Sequence, residues 1–90
     1  SYLPINDETS WIYDKIYDKI EKVFSSKKYN NVKVFLHVHP FVAAYLKSDY
    51  PSLRMKWYIK HKRWVTIVPR DAYTYLHFRF FNKEGKIINA

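Results

Sequence analysis

Residues 32–47 read VKVFLHVHPFVAAYLK, and this stretch decides the fold. Its first half alternates. Val34, Leu36 and Val38 fall on one side of an extended chain, and Lys33, Phe35, His37 and His39 fall on the other. A period of two is the mark of a strand with one buried face, so a strand is expected over residues 32–38. The pattern then changes. Pro40 has no N–H to give and a φ suited to the first turn of a helix, so PFVAAYLK reads as a short helix entered through His39. A strand running straight into a helix is the first half of a crossover unit.

Working outward, residues 7–26 show Ile12, Ile16, Ile20 and Val23 on one helical stripe, widened by Tyr13, Tyr17 and Phe24. Asp14, Lys15, Asp18, Lys19, Glu21 and Lys22 form a solvated face, with Asp18 and Lys22 at i,i+4. Asp7 or Thr9 is suited to cap this helix, and Pro4 places residues 1–6 in an irregular lead-in. SSKKYNN is a polar turn. On the other side, SDYPS breaks the chain, and Ser52 is suited to cap a third helix, LRMKWYIKHK. WVTIVP, residues 64–69, is a second strand, and YTYLHFRFF, residues 73–81, a third with rings on both faces. NKEG is a turn holding Gly85, the chain's one glycine, and KII can return as a short fourth strand.

The expected fold is therefore α+β: a small mixed three- to four-stranded sheet packed with three helices, in the order helix, strand, helix, helix, strand, strand. The first two strands should be parallel and the third antiparallel beside the second. Ninety residues make a single domain, residues 1–90. The chain opens at Ser1 in mid-flow, which suggests an excised C-terminal fragment of a longer protein.

Composition narrows the chemistry. With no Cys, disulfides, thiolate zinc sites and a cysteine nucleophile are excluded. No apolar run reaches the length of a membrane span and no signal peptide is visible, which fits a cytoplasmic protein. The chain carries 16 basic and 8 acidic residues, a net charge of +8. Such a balance implies polyanionic partners. Nine Tyr, six Phe and three Trp exceed what a small core holds, so some rings should lie at a partner surface.

Residues 54–70 contain Arg54, Lys56, Lys60, Lys62, Arg63 and Arg70 and no acidic residue. These six are the candidate nucleic-acid contacts. Lys56, Lys60 and Arg63 share a helical stripe, which is equally a solvated face. Trp57, Tyr58 and Trp64, interleaved with them, are the candidate interface, for base stacking or for a protein partner.

His37 and His39, two apart on a strand, could be two ligands of a metal. A catalytic zinc needs a third and usually a supporting carboxylate. His61 lies in the basic cluster and no acidic residue is near in sequence, so no metal site is assigned. The structural reading is stronger: His39 stands where a polar side chain can satisfy free helix N–H groups. Asp49, Asp71 and Glu84 sit at turns, where acidic residues serve local hydrogen bonds. No catalytic constellation is assigned.

The strand ending VHP, the helix FVAAYL, the segment SLRMKW, the strand VTIVP and the closing YLHFRFF with NKEG together resemble the C-terminal small domain of the ribonuclease E/G family. The likeness covers residues 32–88 and is nearest the ribonuclease G type of Bacteroidetes. It implies a parent endoribonuclease that processes single-stranded RNA, with magnesium held by aspartates in an upstream domain and a zinc between protomers. Neither metal-binding motif has a counterpart here, so no cofactor is implied for this chain itself. The resemblance implies an accessory role, in homo-oligomer assembly and RNA contact. An autonomous RNA-binding module, or a small metallohydrolase built on His37 and His39, are the alternatives.

Overall fold

The structure is a computed structural model that describes residues 7–49 and 51–90, with side chains from Trp11 onward. The lead-in over residues 1–6, and the side chains of Asp7 and Thr9 expected as caps, lie outside the described residues. Helix α1 runs Asp7–Ser25, strand β1 Val34–Val38, helix α2 Pro40–Lys47, helix α3 Leu53–His61, strand β2 Val65–Pro69 and strand β3 Phe78–Phe81. The α+β class and the element order are as expected.

The helices start where local chemistry dictates. His39 is the N-cap of α2: its Nδ1 accepts the Phe41 N–H at 3.0 Å, with Pro40 at the first helical position. Ser52 caps α3, its Oγ accepting the Met55 N–H at 3.2 Å. Both caps satisfy backbone donors that have no partner inside the helix. Lys62 closes α3 in the left-handed region, at φ 58°.

Alternation in β1 is realised in full, with Val34, Leu36 and Val38 buried. The stripe of α1, Ile12, Ile16, Ile20 and Val23, joins them in one core with Val42, Ala43 and Leu46 of α2, Trp57 of α3, Val65 and Ile67 of β2, and Phe80 of β3. All three helices thus contribute to the core on one face of the sheet. Tyr29 anchors the C-terminal end: its Oη donates to the Asn89 carbonyl at 2.8 Å and accepts the Asn89 N–H at 2.9 Å.

The strand order is β2-β1-β3, with β1 parallel to β2 and antiparallel to β3. The parallel crossover is as expected. The place of β3 is a correction, since it pairs with β1 and not with β2. Residues 70–77 explain it. The expected strand start, Tyr73, lies in one turn (Tyr73 N–H to Arg70 C=O, 3.1 Å), and His77 closes a second (to Thr74 C=O, 3.2 Å). The Arg70 N–H also bonds the Val38 carbonyl at 2.8 Å, which carries the chain across the end of β1. The lengthened connection reaches the far edge, and β3 is shortened to four residues.

The expected return strand shrinks to a single bridge between Phe81 and Ile87. Its turn needs Gly85, whose φ is +84°, a region that side chains disfavour. Asn82 Oδ1 braces the same turn by accepting the N–H groups of Glu84 (3.0 Å) and Lys86 (2.9 Å).

Candidate nucleic-acid interface

The six basic candidates do not form one surface. The helical stripe ends early, because α3 stops at His61 and the left-handed Lys62 turns the chain away. Arg63 points back into the structure. Its Nη2 donates to the Tyr29 carbonyl at 2.9 Å and the Val32 carbonyl at 2.8 Å, and its guanidinium lies 4.4 Å from the Phe24 ring centroid. Burial lowers its pKa, as expected for a cation partly withdrawn from water. Lys60 pairs with Glu21 at 3.0 Å and hydrogen-bonds the Tyr17 hydroxyl. Arg54 lies over Trp64 at 4.3 Å. Lys56, Lys62 and Arg70 remain exposed.

The aromatic candidates also divide. Trp57 is a correction: at 4% exposure it is a core residue, because the stripe it shares with Leu53 faces the sheet side of α3. Tyr58 and Trp64 are each 45% exposed and meet edge to face at 5.7 Å. They remain available to a partner.

A second polar group ties α1 to α3. Glu21 Oε2 lies 2.9 Å from His61 Nε2 and 3.0 Å from Lys60 Nζ. Hydrogen bonds from Tyr17 and then Lys60 pull the Glu21 pKa down to about 2. This cluster joins two helices at an exposed seam.

Sequence reasoning did not single out the outer face of the sheet. Side chains opposite the core form two rows across three strands. One row is Thr66, Phe35 and Phe81, and the next is Val68, His37 and Arg79. Phe35 and Phe81 are direct cross-strand partners, and the His37 ring sits 4.5 Å from that of Phe81. These side chains are half-buried or exposed, so among the described residues the face carries no second layer. A cavity of about 230 Å³ opens there, lined by Phe35, His37, Phe81, Asn82, Lys83 and Gly85. Arg79 and Lys33 are exposed on the same parity as the rings, and Arg70 is near enough to His37 to act on its charge. Burial first, and Arg70 second, lower the His37 pKa from its ordinary value.

His39 does not share this arrangement with His37. Its Nδ1 is engaged as the cap, and its ring packs against Tyr75 at 4.4 Å and Phe41 at 5.2 Å. Among the described residues no three His, Asp or Glu side chains gather to hold a metal ion. The sequence has no Cys, and among the described residues Asp49, Asp71 and Glu84 sit on separate turns. Nor is any described helix long and apolar enough to cross a membrane. Comparison with protein-family models, with curated proteins and with solved structures found no match.

Proposed function

We propose that the chain is an accessory module of an RNA-processing endoribonuclease of the ribonuclease E/G type, acting in the cytoplasm, and that it contacts single-stranded RNA through the outer face of its sheet. The observation that carries the RNA contact is the group of Phe35, His37 and Phe81 on a face uncovered among the described residues, with Arg79 and Lys83 at its edge and Arg70 close enough to His37 to act on its charge. Rings stack on bases of any sequence and cations hold the phosphates, the combination that binds single strands. The resemblance over residues 32–88 supports the parent enzyme, whose magnesium-dependent cleavage belongs to residues outside this chain. The exposed pair Tyr58 and Trp64 supports a role in assembly of protomers.

The test is fluorescence anisotropy with a labelled single-stranded RNA at several salt concentrations. Phosphate contacts give a slope of about −0.7 per contact in log Kd-derived affinity against log salt. Changing Arg70, Arg79 and Lys83 together to Gln should flatten the slope by about 2. Phe81→Leu should weaken binding while circular dichroism stays native. Undiminished affinity and slope in the triple variant would remove the sheet face from the proposal.

A further inference from the structure

We propose that the single-stranded RNA continues from the sheet past the C-terminal end of β1 onto the rings of His39, Phe41 and Tyr75, which form a second base-stacking subsite. This deepens the RNA-contact reading and rests on it.

Position is the first reason. Phe35 and His37 lie opposite the core because Val34, Leu36 and Val38, which alternate with them, are buried. His39 follows on the same parity, its ψ still extended at 145°. Its ring lies 4.4 Å from that of Tyr75 and 5.2 Å from that of Phe41, and those two lie 6.0 Å apart. The three rings form one cluster. Four residues of extended chain separate His39 from Phe35, about 13 Å. One base cannot lie against both, so the cluster would take a different base of the same strand.

Exposure and charge are the second. Phe41 is 54% exposed and Tyr75 49%, and neither belongs to the core. His39 is held in place, since its Nδ1 accepts the Phe41 N–H at 3.0 Å. A ring fixed before binding loses little freedom when a base stacks on it. The cluster is also continuous with the sheet face. Arg79, the cross-strand partner of His37, donates from Nε to His77 Nε2 at 3.3 Å, and His77 stacks on Tyr73 at 4.1 Å. Arg70 and Arg79 are exposed, and Asp71 is the one acidic residue between them in sequence. Rings flanked by cations suit bases joined by phosphates better than they suit an apolar peptide.

The experiment is fluorescence anisotropy of a labelled oligoadenylate on the full chain, about 12 nucleotides long, within the range that single-strand modules cover. Tyr75→Ala and Phe41→Ala should each weaken binding roughly fivefold or more, the worth of one stacked base. The salt slope should not change, because no cation is removed. Tyr75→Phe, which keeps the ring, should bind like wild type. A measurement on the wild-type chain covers the case of a variant that does not fold. The same oligomer with one iodouridine, placed at each position in turn, is photo-crosslinked and read by mass spectrometry. Crosslinks should fall on Phe41 or Tyr75 as well as on Phe35 or Phe81. Crosslinks confined to Phe35 and Phe81, or folded alanine variants that bind like wild type while Phe81→Leu still weakens binding, overturn the second subsite and leave the sheet contact standing. A Tyr75→Ala protein that keeps its RNA affinity and loses self-association assigns these rings to a protein partner and also overturns it. Failure of the wild-type chain to bind the oligomer overturns both.

Discussion

Replacing Arg63 should damage the fold and not the proposed RNA contact, although Arg63 is one of six cations in an acid-free stretch. Its Nη2 serves the carbonyls of Tyr29 and Val32, which lie 34 and 31 residues away in the chain. The guanidinium also lies over Phe24 in α1. A single cation thus ties the end of α3 to the turn after α1 and to the approach to β1. A hydrogen bond involving a charged group contributes about 1.5–3 kcal/mol, and a cation over a ring about 0.5–1 kcal/mol where exposed. One nitrogen makes both bonds, and water can reach part of the site. The two contributions do not simply double, and Arg63→Met should destabilise by about 2–4 kcal/mol. A domain of this length has roughly 5–13 kcal/mol in total. The urea midpoint, followed by tryptophan fluorescence, should fall by roughly 2 M. Arg63→Lys should recover part of the loss, because an ammonium keeps the charge but not the planar stacking. RNA affinity, measured below the unfolding transition, should be unchanged. An Arg63→Met protein within about 0.5 kcal/mol of wild type that has lost RNA affinity would refute this reasoning.

Trp57→Ala removes a core side chain of 4% exposure and should cost about 3–5 kcal/mol in guanidinium unfolding. His39→Leu should lose about 1 kcal/mol through the missing cap in a thermal melt, while His39→Asn, which keeps an acceptor, should stay near wild type. Glu21 has a folded pKa of about 2, below its unfolded value, so its contribution is present above about pH 4.5 and is lost as pH falls toward 2. Glu21→Gln should flatten the fall of melting temperature across that window.

Much of the fold was legible because its signals are local. The alternation of Val34, Leu36 and Val38 lies within five residues, and each cap acts two or three residues from its partner. The α1 stripe needs only helical spacing. Where β3 pairs was not legible. YTYLH has the alternating rings of a strand and no glycine or proline to break it, yet its backbone turns twice. Arg63 and Trp57 were misplaced for a related reason. A basic residue and a ring look like surface chemistry until the carbonyls and core that receive them are known, and both receivers are distant in sequence. The outer face was half legible: Phe35 and His37 were visible opposite the core-facing valines, but their neighbour Phe81 was not.

The strand order is what creates the candidate pocket. Had β3 paired with β2, Phe81 would stand two strands from Phe35, about 9–10 Å across the sheet, and the two rings could not wall one cavity. With β1 in the centre, Phe35 and His37 occupy the middle of the face and Phe81 is a direct partner. The register is secured from the opposite side. Phe80 is 2% exposed in the core, beside Leu36. A slip of β3 by one residue would turn Phe80 outward and Phe81 inward, since side chains alternate with a period of two. That slip would open a void among the core valines and isoleucines and would remove the pocket at the same time. The same burial that stabilises the sheet therefore sets Phe81 against Phe35 and His37. Phe80→Ala should accordingly weaken RNA binding as well as stability, although Phe80 faces away from the proposed ligand.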